Sequence, residues 1–464
     1  MSIVFLLSCH KDELEPTKPF VDVTLKVEVP PTFSGYKVNP NAKQLGKQYW
    51  ENTNVMSDLY TVYYKNLPTG FNRYGLFLIQ LACGDFNNDG YIDIFDAGVS
   101  YNGPKINTSF LIWDPINKKF NDTSLLNDKT IKFIGGNVTK VVPTYMNDDD
   151  YVDLVLFDNG DEGISNSPYQ PIRLVLSDGK GGYDVKTVVT NDNETPLWKI
   201  EYGDVGDLNG DGINDLVITC NMYVYIYWGI KGYPYFTQNN HATFVGDDKN
   251  FGHLGDNGFG ERVTQVGGNA AQAKIVDVNK DGKNDLIISK MEDRNHNLYP
   301  MQSKVLYNLG GGKFNSKGIV DLPFYYTNND YGVQNIDYIV EDVNKDGLND
   351  FICINQQVNR QTNKWAPWEL FIYEQQKDGT FSVNKNYISY TINSIRVSDD
   401  GWKSKLVYYD FNGDGNKDIG YINSADNNGV IKYKSVFVRK GDRFIEEDFY
   451  QYDNFAKSLL NYLK

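Results

Sequence analysis

Short apolar runs of four or five residues recur along this chain, and each borders a polar stretch rich in Asp, Asn and Gly. Leu406-Val-Tyr-Tyr409 enters such a stretch, whereas Asp215-Leu-Val-Ile-Thr219, Asp285-Leu-Ile-Ile-Ser289 and Asp350-Phe-Ile-Cys-Ile354 leave one. Runs of this length bounded by turn residues predict strands, so the polar stretch closes a hairpin. A third run follows, then a Gly- or Asn-rich turn, then an aromatic residue opening a fourth, as from Leu174 to Tyr183 and from Val305 to Phe314. Phe120, Phe236, Phe381 and Phe444 hold the equivalent place elsewhere. Four antiparallel strands per repeat predict the blades of an all-β propeller.

The polar stretches share one nine-residue pattern, with a side-chain oxygen at positions 1, 3, 5 and 9, glycine at 6, and a backbone carbonyl on offer at 7. Five copies are complete: Asp85, Asn87, Asp89, Tyr91 and Asp93; Asp207, Asn209, Asp211, Ile213 and Asp215; Asp277, Asn279, Asp281, Lys283 and Asp285; Asp342, Asn344, Asp346, Leu348 and Asp350; Asp410, Asn412, Asp414, Asn416 and Asp418. A plain turn needs Asp or Asn at one or two places, not at all four. Repeated oxygens around a glycine that can turn left-handed are a ligand set for a hard cation, and calcium accepts such a flexible shell where magnesium keeps its waters. About five calcium ions are therefore expected.

A sixth, damaged copy carries Asn147, Asp149, Tyr151 and Asp153, with Tyr145 in place of the first carboxylate and Asp150 in place of glycine, and is expected to bind weakly or not at all. Copies start at 85, 145, 207, 277, 342 and 410. Near-constant spacing of this kind marks a repeat architecture, in which each unit buries its apolar face only against its neighbours.

A four-stranded unit with an Asp-x-Asn-x-Asp-Gly-x-x-Asp loop between its first two strands resembles the FG-GAP (VCBS-type) repeat, the unit of the integrin alpha-subunit propeller and of many bacterial surface proteins. The resemblance covers roughly residues 76 to 450 and implies a propeller, usually of seven blades. Val21 to Val29 alternates as a half-exposed strand does, and Leu59 to Phe71 reads as a hairpin, so residues 21–75 are expected to form a seventh, metal-free blade; six blades is the alternative. The propeller would span 21–452. Phe455, Leu459, Leu460 and Leu463 then predict a short helix over 453–464.

Residues 1–20 read differently. Met1 to Cys9 is an apolar run ending in a small residue and a cysteine, and it resembles the end of a bacterial lipoprotein signal peptide, with lipid expected on Cys9. Lys11-Asp12-Glu13 resembles the signal that sends some lipoproteins to the outer face of the outer membrane. The other cysteines, Cys83, Cys220 and Cys353, fall in apolar runs and are expected as buried thiols. The net charge of −15 disfavours nucleic acid, and five divalent ions would offset ten of those charges.

Calcium is expected to be structural here, because like sites recur in every blade whereas a catalyst would need one unlike the rest. Recognition is then expected on the opposite face or in loops that break the repeat. The largest break runs from Tyr233 to Asn269 and carries Tyr233, Tyr235, His241 and His253; Trp365 and Trp368 form a second candidate. These residues suit a non-catalytic recognition or scaffold lipoprotein for a glycan or a cell-surface protein. A polysaccharide lyase or hydrolase, with His241 or His253 as base, and an integrin-like adhesin are the alternatives.

Overall fold

The computed structural model describes residues 81–98, 107–117, 119–135, 138–158, 172–189, 200–220, 223–237, 270–290, 303–314, 318–323, 331–359, 364–384, 386–389, 405–409, 412, 414–422 and 434–447. Outside them lie Cys9, the expected blade at 21–75, His241, His253, Asp410 and the expected helix at 453–464. The chain divides into Met1–Phe33 and Ser34–Lys464, and all described residues belong to the second unit.

The described residues form strands and no α-helix. The first sheet runs in chain order through Leu81–Gly84, Asp93–Asp96, Ser109–Asp114 and Lys119–Thr123. The second uses Val138–Thr144, Asp153–Asp158, Ile172–Ser177 and Tyr183–Val189. The third shows Ile200–Gly206, Asp215–Cys220 and Tyr223–Tyr227. Its expected fourth strand is not seen among the described residues: Phe236 is buried but sits in a turn. The fourth sheet has Ala270–Val276, Asp285–Lys290, Lys304–Leu306 and Ile319–Asp321; the fifth has Tyr331–Glu341, Asp350–Asn359, Lys364–Gln375 and Phe381–Asn384. The sixth has Lys405–Tyr409, Asp418–Ile422, Lys434–Lys440 and Arg443–Glu447, and its outer edge takes Ile388–Ser389 from the preceding repeat as a parallel fifth strand.

The strands after each loop are apolar without alternation because both their faces are covered. Leu216 and Ile218 point into the core shared with the second sheet, while Val217 points into the core shared with the fourth. Leu286 and Ile288 likewise part company with Ile287, as do Ile352 and Ile354 with Phe351 and Cys353. Side chains alternate across a strand, so a strand buried on both sides needs apolar residues at every position. The first strand of each sheet packs against the first strand of the next, all along the series. That succession, with one apolar core between each pair of neighbours, is the propeller arrangement. Gly203 shows how close the sheets come: a Cβ there would lie 1.9 Å from Cε1 of Phe157. Cys83 and Cys353 are buried, as expected.

Candidate functional site

All six loops lie at one rim, and their hydrogen bonding follows position rather than residue. At position 1 the carboxylate closes the loop on itself: Asp85 accepts from the N–H groups of Asp89 at 3.0 Å and Gly90 at 2.9 Å, and Asp342 does the same with Asp346 and Gly347. At position 3 the Asn oxygen accepts from the position-5 N–H, as in Asn209 with Asp211 at 2.8 Å. At position 5 the carboxylate accepts from the position-7 N–H, as in Asp414 with Asn416 at 2.8 Å. Gly90, Gly212, Gly282, Gly347 and Gly415 all have positive φ, and so do Asn88, Gly210, Lys280 and Lys345 at position 4. The sequence reading identified the first left-handed turn and missed the second, because lysine is a poor marker for that conformation. In the damaged copy Asp150 is not left-handed, although Asn147 and Asp149 keep their loop bonds.

The ninth residue has a second task. Asp215 Oδ2 accepts from Leu208 N–H at 2.8 Å, and its Oδ1 accepts from Gly229 N–H at the end of the third strand, also at 2.8 Å. Asp93, Asp153, Asp285 and Asp350 repeat both bonds, and Asp418 takes the third-strand bond from Arg439. These carboxylates are fully buried and clasp loop to blade. Burial raises the pKa of Asp93 well above the usual carboxylate value, that of Asp153 to about 7 and those of Asp215, Asp285 and Asp350 to about 6, while the N–H donors oppose the shift.

Neighbouring loops are latched to each other through position 8, which the sequence reading passed over. Asn214 Nδ2 donates to the Tyr145 carbonyl at 3.0 Å, Asn284 to that of Asp207 at 2.8 Å, and Asn349 to that of Asp277 at 3.2 Å. The recurrence of Asn before the last Asp was the available signal.

The donor set is compatible with a cation. Burial is the main cause that raises the pKa of Asp85, Asp93 and Asp285, and neighbouring carboxylates add to it, Asp89 at Asp85, Asp85 and Asp89 at Asp93, and Asp281 and Asp277 at Asp285, so like charges converge where a divalent ion would relieve them. The hydrogen bonds occupy only part of each carboxylate's acceptor capacity. Among the described residues no group of three His, Cys, Asp or Glu side chains forms a metal cage by itself, so Asn oxygens and the position-7 carbonyls would have to contribute. At the 277–285 loop, Lys283 Nζ already pairs with Asp281 at 2.7 Å.

The aromatic candidates are placed unexpectedly. Tyr233 and Tyr235 follow the third strand of the third sheet, at the same rim as the loops and not on the opposite face. Tyr235 is held by bonds from its own N–H to the Gly232 carbonyl and from Ile230 N–H to its carbonyl, both 2.8 Å, and has a φ of 63°. Tyr233 is 65% exposed and meets Tyr235 edge to face, with centroids 6.5 Å apart. Lys231 Nζ reaches Asp148 Oδ2 of the damaged loop at 3.3 Å. The rim position follows from strand order, since the turn between third and fourth strands points the same way as the loop between first and second. Trp365 and Trp368 lie on the third strand of the fifth sheet, opposite Val358 and Gln356.

Residues 342–421, which carry the fifth and sixth loops, match the FG-GAP-like repeat family. The β-propeller thus contains a stretch similar to the FG-GAP-like repeat. No curated protein matches it. Among solved structures, the propeller is similar to an Agrocybe aegerita lectin described as recognising non-reducing terminal N-acetylglucosamine, with 15% identity over 80% of each chain and a TM-score of 0.44. It is also similar to a Penicillium chrysogenum α-L-arabinanase complexed with arabinobiose, at 11% identity over 63% of this chain and 77% of that one, with a TM-score of 0.36.

Proposed function

We propose that this propeller is a calcium-stabilised, non-catalytic recognition module for glycans, displayed on the outer membrane by lipid at Cys9. One observation carries the glycan reading: an exposed Tyr233 packed on Tyr235 in a loop pinned by backbone hydrogen bonds, at a rim crowded with carboxylate and amide groups. An aromatic face with polar groups around it suits a sugar ring, which offers C–H on one side and hydroxyls at its edge. Convergent like charges in the loops support calcium, and the Met1–Cys9 run supports the anchor. The non-catalytic part rests on the buried carboxyls at the ninth position. They are strongly raised, yet each is bonded to backbone N–H groups inside a blade and would be a poor acid or base for a solvent-borne substrate.

The test is a screen of the purified protein against immobilised glycans in calcium, followed by incubation of any bound glycan and assay for new reducing or unsaturated ends. Retention without products is expected. Product formation would make it a lyase or hydrolase; retention of a surface protein but of no glycan would make it a protein-binding scaffold.

A further inference from the structure

We propose that the glycan site is the cleft between the second and third sheets at the loop rim, and that it selects uncharged oligosaccharides; this rests on the glycan reading above. The cleft has a volume of about 860 Å³, inside the usual range for ligand pockets. Its lining includes Met146 and Asp148 of the damaged loop, Ile213 and Tyr235 from loops of the third repeat, Val205 of the third sheet and Ile275 of the fourth. It opens beside the one loop of the six that has lost its first carboxylate and its left-handed glycine, where the repeat pattern is relaxed.

The charges in the cleft decide the ligand class. Among the described lining residues Lys231 is the single cation, against Asp148, Asp207 and Asp211. Lys231 is paired with Asp148, and a calcium ion in the 207–215 loop would still be outweighed by Asp207, Asp211 and Asp215, so a uronate or sulfate would meet net negative charge there. Asp207 is turned to Gly210 and Gly212, and Asp211 to Ile213 N–H, so both serve their own loop before any ligand. What remains is a surface exchangeable for hydroxyls. The Lys231–Asp148 pair is exposed at the mouth of the cleft, and the donors of Lys231 and acceptors of Asp148 not used in the pair can meet sugar hydroxyls while the pair stays together. Ile213, Met146 and the Tyr235 ring supply the apolar side that stacks on a sugar's C–H face.

The experiment measures binding by calorimetry for four neutral tetrasaccharides (of glucose, mannose, galactose and N-acetylglucosamine), for oligogalacturonate as the anionic probe and for a chitosan oligomer as the cationic one. Wild-type protein is expected to bind at least one neutral probe more tightly than either charged probe. Ile213→Trp, which fills the cleft, and Tyr235→Asn, which removes the ring but tolerates positive φ, should each weaken that binding about tenfold or more. Both variants should melt with the wild type; if one does not fold, the other decides. Unchanged binding in a folded variant overturns the cleft while leaving glycan recognition standing. Tighter binding of the galacturonate or chitosan probe overturns the selectivity. Glycans bound in the broad screen but none of the neutral probes here also overturn it, and no glycan bound in either experiment overturns both readings.

Discussion

Asp204 Oδ1 accepts a hydrogen bond from Lys140 Nζ at 3.1 Å, and its second oxygen accepts from the Ile275 N–H at 2.7 Å. One fully buried carboxylate thereby ties the first strands of three consecutive sheets together. Lys140 also lies over the Tyr202 ring at 4.7 Å. Removing one partner of a buried ion pair leaves the other charged and unsolvated. Lys140→Met is therefore expected to cost about 3 kcal/mol in urea unfolding, and Asp204→Ala a similar amount. The double variant should cost clearly less than the sum, since it leaves no buried charge behind; additive losses would mean the two residues act separately.

The double role of the ninth loop residue separates clasp from ligand. Asp285→Ala removes acceptors for the Val278 and Asn308 N–H groups, which stay buried, so about 2 kcal/mol should be lost in EDTA and more in calcium, where a ligand is lost as well. Asp281→Ala, at a partly exposed position, should remove only the calcium-dependent part of stability. Melting curves of both variants in the two buffers check this.

Chelation should lower the melting temperature of the wild type, because the loop carboxylates then repel one another without compensation. Asp211→Ala should shrink the calcium-dependent shift, whereas Asp149→Ala should leave it unchanged, since the loop of Asp149 has Tyr145 where the first carboxylate belongs. Equal melting with and without calcium would remove the metal from the account.

Asp153 gives a pH dependence of definite sign. Burial raises its folded pKa to about 7, above the unfolded value, so the folded state holds this proton more tightly. Its contribution to stability is complete below pH about 4 and is lost as pH rises through about 7. In EDTA the melting temperature is expected to fall across that window, and Asp153→Asn should flatten part of the slope.

Cys9→Ser should move the protein from the membrane to the soluble fraction. Neutralising Lys11, Asp12 and Glu13 should keep it membrane-bound but protect it from added protease. Fractionation and protease shaving of intact cells read out both.

The sequence by itself determined the repeat and the course of its loops and strands. The nine-residue loops, the double-faced apolar strands after them and the aromatic residues near the fourth strands are all local, and local hydrogen bonding and side-chain alternation suffice to read them. What only the tertiary structure decided is how repeats meet. That the ninth Asp clasps the third strand, that Asn214, Asn284 and Asn349 latch one loop to the previous one, and that Asp204 joins three sheets depend on contacts between residues tens of positions apart. The placement of Tyr233 and Tyr235 at the loop rim belongs to the same class. Sequence marks their segment as a departure from the repeat, but the rim on which it emerges, and the cleft it forms with the damaged loop, follow from the up-and-down order of strands packed against the neighbouring sheet.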